Sequence, residues 1–320
     1  MLVAVEGHAL LGSFGCGAAD LIEAIEENKG QTHLTVLPSE GLFPFLPKTD
    51  TSKLTEFFTQ RALRQIDHFT RMALLCVSMA LKEVPALNEA ETTGIILATG
   101  YGAAGPTFDF MDSVLQYGED MPSPLAFSHS VQNIPAAIIA RQCGIVGPCM
   151  TVCQPEGAFA AALTVASLWL EQKAVQRVIL VGVDEQHPFL PKVVQHLYDL
   201  QGLPLESACY GIGEGSAAIV LAAINVDSAA SQVRLEVLTK NKNEGLEVDG
   251  DIPCALSSST PFIQQQQGNL FKGARGYGVI PVAQALDVAL HLAIMAENPS
   301  QAASGFLCAS TADNTIIFCQ

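Results

Sequence analysis

Continuously apolar runs alternate along the chain with longer stretches in which apolar residues recur every three or four positions. The runs are LVAVEG (2–7), GIILATG (94–100), MTVC (150–153), RVILVGVD (177–184), AAIVLAA (217–223), SGFLCAS (304–310) and NTIIFCQ (314–320). Most end in Gly or a small residue, which predicts strands covered on both faces. The periodic stretches are ADLIEAIEEN (19–28), LRQIDHFTRMALLCVSMALKEV (63–84), GAFAAALTVASLWLEQKA (157–174) and IPVAQALDVALHLAIMAE (280–297). Each predicts a helix with a packing face. The third is apolar nearly all round and predicts a helix buried at the centre of the molecule. Strands alternating with helices give an α/β protein whose sheets are sandwiched by helices. From Asn225 to Gln264 the pattern weakens and turns polar, which marks a join between a larger N-terminal half and a smaller C-terminal one. No short-period repeat is visible, which excludes solenoids and propellers.

The length, 320 residues, allows one large α/β unit or two fused halves. With 49% hydrophobic and 15% charged residues, the chain must bury wide surfaces, some of them between subunits. No unbroken apolar run of about 18 residues stands out, so no transmembrane helix is expected. The N-terminus MLVAVEGHALLGSFG has neither a basic leader nor a cleavage motif and reads as strand and loop, so a cytoplasmic location is expected. A net charge of −16 argues against nucleic acid and anionic membrane surfaces, which need Lys/Arg patches. It also disfavours long-range attraction to acidic proteins, although a local basic patch could still dock one. The nine cysteines form no CxxC pair and no metal spacing, and they read as free, buried thiols in a reducing compartment. His8, His33, His68, His187 and His196 share no metal-binding spacing and read as surface or packing residues, so no metal is expected. GIGEGSA (211–217) looks like a phosphate loop, but no Lys-Ser/Thr follows it.

The chemistry turns on GPCMTVCQPEGAFAAAL (147–163). An apolar strand enters a tight turn at Gln154-Pro155-Glu156-Gly157 and leaves as a helix, the arrangement that presents a Ser or Cys nucleophile at a positive helix N-terminus. Cys153 is the nearby thiol. It is either that nucleophile or a buried structural residue at the end of the strand.

Six segments in order resemble the β-ketoacyl synthases of the thiolase superfamily. They are VAVEGHALLGSFGCGAADLIEAIEENK, LRQIDHFTRMALLCVSMAL, GIILATGYGAAGPTFDFMDSVLQYG, GIVGPCMTV with RVILVGVDE, YGIGEGSAAIVL, and the terminal STADNTIIF. SPLAFSHSVQNIPAAIIA further resembles a branch with an FSHSVxN sequence, which includes the chain-length-factor-like subunits of aryl polyene clusters. The resemblance implies the thiolase fold: two pseudo-repeated αβαβα halves with helices sandwiching mixed sheets. Here the expected division is 1–224 and 225–320, with the C-terminal half shortened and its site-capping loops trimmed.

The resemblance also implies which groups condensation needs: a cysteine at the buried helix N-terminus to take the acyl group, and two histidines to stabilise the enolate left by decarboxylation. The family's cysteine falls nine residues after the glycine of its GP turn. Counted from Gly147, that position is Glu156, a carboxylate that suits the helix dipole but accepts acyl groups poorly. Leu256 in CALSSSTPF and Tyr277 in KGARGYG occupy the two histidine positions. From Asn225 to Gln320 the sole histidine is His291, in a helix-packing pattern, so a shifted register does not recover the pair.

No catalytic residue is therefore expected, and no cofactor. The resemblance implies a noncatalytic subunit, a chain-length factor, in a heterodimer with an active β-ketoacyl synthase for fatty acid or polyketide-type synthesis. It would line the far wall of the chain tunnel with Phe108, Phe110, Met111 and Leu115, joined by Phe127 and Val131, or those residues would be ordinary dimer packing. His129 in FSHSVQN reads as an interface or structural hydrogen-bonding residue. Acyl carrier protein, itself acidic, would dock mainly through the partner. Two alternatives stand beside this: an acyltransferase or decarboxylase using Cys153 or Glu156, and a homodimeric acyl-binding scaffold.

Overall fold

The computed structural model describes residues 2–27, 29, 45–82, 84, 92–118, 121–155, 157–192, 196, 211–223, 234–239, 254–256, 270–271, 282–297, 306–309 and 315–319. In chain order the strands are β1 (Leu2–Gly12), β2 (Gly15–Cys16), β3 (Thr93–Thr99), β4 (Cys149–Cys153), β5 (Arg177–Asp184), β6 (Gly215–Ala222), β7 (Arg234–Thr239), β8 (Cys254–Leu256), β9 (Leu270–Phe271), β10 (Phe306–Ala309) and β11 (Thr315–Cys319). The helices are α1 (Ala18–Glu26), α2 (Gln60–Leu63), α3 (His68–Lys82), α4 (Ala104–Tyr117), α5 (Pro124–Ser130), α6 (Ile134–Cys143), α7 (Ala158–Glu171) and α8 (Ala283–Glu297). Among them no helix is long and apolar enough to cross a membrane.

The strands form one mixed sheet in the order β4-β3-β5-β6-β1-β7-β11-β10-β8-β9, with β2 paired to the end of β1. Its centre is an antiparallel seam in which Val3 of β1 faces Leu235 of β7. Outward from β1 the neighbours are β6 and β5, both antiparallel steps, then β3 and β4, both parallel. Outward from β7 they are β11 and β10, antiparallel, then β8 and β9, parallel. The two sides repeat one topology, and α7 and α8 hold equivalent places, each between the third and fourth strands of its side. This is the α/β architecture that the apolar pattern predicts.

Residue alternation explains the continuous apolar runs. On β3, Ile96 and Ala98 enter a core with α7 and α8, while Ile95 and Leu97 enter a second core with α3 and α6. Both faces are covered, so no polar alternation is needed. Helix α8 crosses β5 closely: a Cβ on Gly182 would lie 2.6 Å from the Ala285 Cβ, so no larger residue fits without displacement. Phe159 and Leu163 fill the space between α7 and the sheet.

Three expectations need correction. The helix expected over 63–84 is broken, because Asp67 caps a new one: its Oδ1 accepts from Thr70 N at 2.9 Å and its Oδ2 from Thr70 Oγ1 at 2.8 Å. The chain between Leu63 and His68 is a turn, a helix start of the Asp-capped kind. The polar stretch 225–264 is more than a join, since it contributes β7 and β8 to the sheet. Their short length and polar flanks hide them from a hydrophobicity scan. Helix α7 is not buried all round, for Thr164 and Leu168 form an exposed strip that no described element covers.

Candidate functional site

The carboxyl ends of the parallel strands β4, β3 and β5 gather the site. Cys153 ends β4 opposite Thr99 of β3, and the chain then turns through Gln154 and Pro155 to Gly157. Gly157 takes the left-handed conformation (φ 72°) that starts α7. Glu156 and Tyr277 lie outside the described residues, and Leu256 lies in β8 with its side chain outside the description. Cys153 is exposed, not the buried thiol the sequence suggests, because β4 is the outermost strand of its side. Its Sγ lies 3.7 Å from the Gly100 carbonyl. Partial burial pushes the thiol up and the Asp184 charge adds to this, against a hydrogen bond with Gln132. The surroundings hold the protonated form, the reverse of what a nucleophilic cysteine requires. Cys149 is exposed as well, whereas Cys76 is buried as expected.

Three carboxyl groups stand at the same end of the sheet, and none was singled out from the sequence. Asp184, at the end of β5, is buried and accepts from Thr99 Oγ1 (2.7 Å), Gly100 N (3.0 Å) and Tyr101 N (3.3 Å). Burial pushes it up to about 7 despite these donors and one from Val282 at the start of α8. Glu185 accepts from Gly105 N in the first turn of α4 at 2.7 Å. Burial pushes it to about 7 too, with Asp67 and Glu214 raising it and His68 opposing. Glu214, in the GEG turn, is fully enclosed and accepts from Thr49 N (2.6 Å) and Gln186 N (3.2 Å), with His68 Nε2 at 2.7 Å. Burial would raise it, but the hydrogen bonds and charge of His68 with the two amides bring it below the ordinary value. His68 is thus tied to a buried acid, not merely packed. On α5, His129 Nδ1 stands 3.6 Å from Asp67 Oδ2, a structural contact between the two side chains. The signal for these acids was their place, Asp-Glu directly after one apolar strand and Gly-Glu-Gly directly before another.

Of the six apolar positions picked from the sequence, Phe108, Phe110, Met111 and Leu115 lie on α4, Phe127 lies on α5 and Val131 follows α5 directly. Phe110 packs on Phe127 across the two helices, with centroids 5.2 Å apart. Phe108 instead stacks on His187, at 4.5 Å and 19°, and on Phe189 at 5.2 Å. Met111 and Leu115 are 52% and 82% exposed, and Phe127 and Val131 are open to solvent as well. Leu125, Val146, Met150 and Leu168 add to the exposed apolar residues. Among the described residues no strand pairs with the outer edge of β4.

Beside this apolar area, α2 and its following turn, α5 and α6 enclose a groove of about 920 Å³. Arg61, Arg64, His129 and Arg141 line it with Leu125 and Ile138, and no Asp or Glu does. On a chain with twice as many acids as bases, this is a local positive site.

Paired antiparallel and parallel steps repeated on both sides of a central seam define an α/β architecture of the thiolase-like ketosynthase fold. Residues 43–197 match the family model described as Beta-ketoacyl synthase, N-terminal domain, so this segment is similar to that domain. The ishigamide ketosynthase/chain length factor is 16% identical and superposes with a TM-score of 0.70, over 100% of this chain and 98% of its own. A type II PKS acyl-carrier protein in complex with its ketosynthase bound to the hexaketide gives 13% identity and a TM-score of 0.70, over 99% and 98%. Ketosynthase ApeO in complex with its chain length factor ApeC from Xenorhabdus doucetiae gives 10% identity and a TM-score of 0.58, over 100% and 99%. At these identities the likeness is one of fold. No curated protein matches the chain by sequence.

Proposed function

We propose that this chain is a noncatalytic ketosynthase-like subunit, a chain-length factor, that pairs with an active β-ketoacyl synthase in fatty acid or polyketide-type synthesis. The observation that carries the reading is the open edge of β4. Its five residues, Cys149 to Cys153, include no charge and no proline, the usual guards of an exposed edge. Helix α7, which packs beside β4, and helices α4 and α5 also carry large exposed apolar side chains. An uncharged edge in an apolar setting suits a partner strand and a partner apolar face, and the partner would be the catalytic subunit. Replacement of all three condensing groups by Glu156, Leu256 and Tyr277 supports the noncatalytic role. The chain divides at 1–224 and 225–320 in this reading, and it works in the cytoplasm.

The test is co-expression with an active ketosynthase, followed by size-exclusion and mass analysis. A one-to-one mixed dimer that extends acyl chains is expected. A chain that elutes alone or pairs only with itself refutes the reading. Incubation with acyl thioesters and mass spectrometry addresses the enzyme alternative, in which Cys153 would carry the acyl group.

The arginine groove modifies the division of labour suggested by the overall charge. An acidic carrier protein delivered to the mixed dimer would find on this chain a positive face of its own, so docking need not fall wholly to the partner.

A further inference from the structure

A second cavity, of about 710 Å³, opens between β1, the start of α1, the short 3-10 helix Ser52–Glu56 and the last turns of α3 and α8. These elements carry neither the β4 edge nor the arginine groove, so the cavity is separate from both. Its volume lies in the range of small-molecule sites. The inner lining is apolar: Leu10 is buried, and Phe57, Met79, Ala18 and Ala293 stand beside it. Lys53, Glu56 and Lys82 line the cavity too and are exposed.

The charges around this cavity do not cancel. Glu56 is the acid that lines it among the described residues, and Lys82 answers it: Nζ lies 3.9 Å from Glu56 Oε2 while resting 4.2 Å from the centre of the Phe57 ring. Two further acids nearby are engaged by other donors. Asp20 Oδ2 accepts from Cys16 N at 2.7 Å, and Asp50 accepts from Ser52 N at 2.8 Å and Ser52 Oγ at 2.9 Å. Lys53 has no carboxylate within ion-pair distance among the described residues. One ammonium group thus stands over apolar walls without an anion of the chain to meet it. A polyanion would set its extra charges against Glu56, and a cation would meet two lysines. A single negative group joined to an apolar body suits the lining best.

We infer that this cavity binds a monocarboxylic acid with an apolar tail, its carboxylate at Lys53 and its tail on Leu10, Phe57 and Met79. Burial of the tail supplies most of the affinity. The exposed charge pair with Lys53 orients the ligand and adds a smaller share. The site does not rest on the proposed pairing with a ketosynthase, because no residue of the β4 edge takes part.

The test uses the full chain with octanoate as the probe, read by calorimetry and by peptide-resolved alkylation of the cysteines. Octanoate should slow alkylation of Cys16, which lines the cavity, and leave the exposed Cys149 and Cys153 unchanged. Lys53→Met keeps the side chain's length, removes its charge and should weaken binding about fivefold. Added salt should weaken binding to the unaltered protein. Ala293→Leu, which narrows the apolar wall, should weaken binding at every salt concentration. Circular dichroism and melting accompany each variant, and the exposed Lys53→Met carries the test where Ala293→Leu does not fold. Octanol protecting Cys16 as well as octanoate does overturns the inference, and so does equal protection by inorganic phosphate. Equal slowing of all three thiols, or unchanged affinity in the folded variants, overturns it too. Each outcome is the same whether or not a mixed dimer forms, so failure here leaves the proposed function standing.

Discussion

Thr49 N, Gln186 N and His68 Nε2 all lean on the Glu214 carboxylate, which has no solvent to replace it. Glu214→Ala leaves those buried donors without an acceptor and should cost about 3 kcal/mol, read as a lowered urea midpoint at unchanged slope. Asp184 and Glu185 predict a pH dependence of the opposite kind. Their native pKa values, near 7, lie above ordinary carboxyl values, so the native state holds protons that the unfolded chain releases. Their contribution is full below about pH 4 and is lost as pH rises through about 7. His291, lowered by burial from 6.5 to about 4, opposes this over the acidic range and is neutral in both states at higher pH. The melting temperature should therefore fall between about pH 6.5 and 8, and Asp184→Asn with Glu185→Gln should flatten that fall. A slope that survives the double substitution refutes the assignment. The sequence hid these acids because their partners are remote: Thr49 and His68 lie 165 and 146 positions from Glu214. Local pattern carries no information about such pairings.

Strands β3, β5 and β6 were legible as elements because both their faces are covered, which leaves an unbroken apolar run. Helices α7 and α8 were legible for a similar reason. Strands β7 to β9 were not, since a strand of two to six residues among polar neighbours yields too little pattern to read. The apolar residues of α4 and α5 were found, but not that Phe108 would stack on His187 and Phe189 while Leu115 stayed exposed. Both lie on one helical face, and only the residues after β5 distinguish them. At this scale the edge of β4 makes the clearest prediction. Met150→Lys places a charge on the open strand, a substitution that blocks edge pairing. It should weaken the mixed dimer at least about tenfold, read by analytical ultracentrifugation, while circular dichroism of the isolated subunit stays unchanged. Equal affinity would show that the partner binds elsewhere.

For the molecule as a whole, a charge of −16 conceals a positive groove that totals cannot reveal. Arg61 lies in α2 and Arg64 directly after it, Arg141 lies in the last turn of α6, and they meet only in the fold. Arg61→Glu with Arg64→Glu should reduce binding of an acidic carrier protein to the mixed dimer, and added salt should erase most of the difference. Salt-insensitive binding, or binding indifferent to the substitutions, would assign docking to the other subunit. The central seam has a temporal consequence. Strand β1 leaves the ribosome well before both its long neighbours, β6 and β7, which lie beyond residue 214. The residues up to 214 must be synthesised before β1 is enclosed, so its hydrophobic side chains stay available to chaperones over that interval.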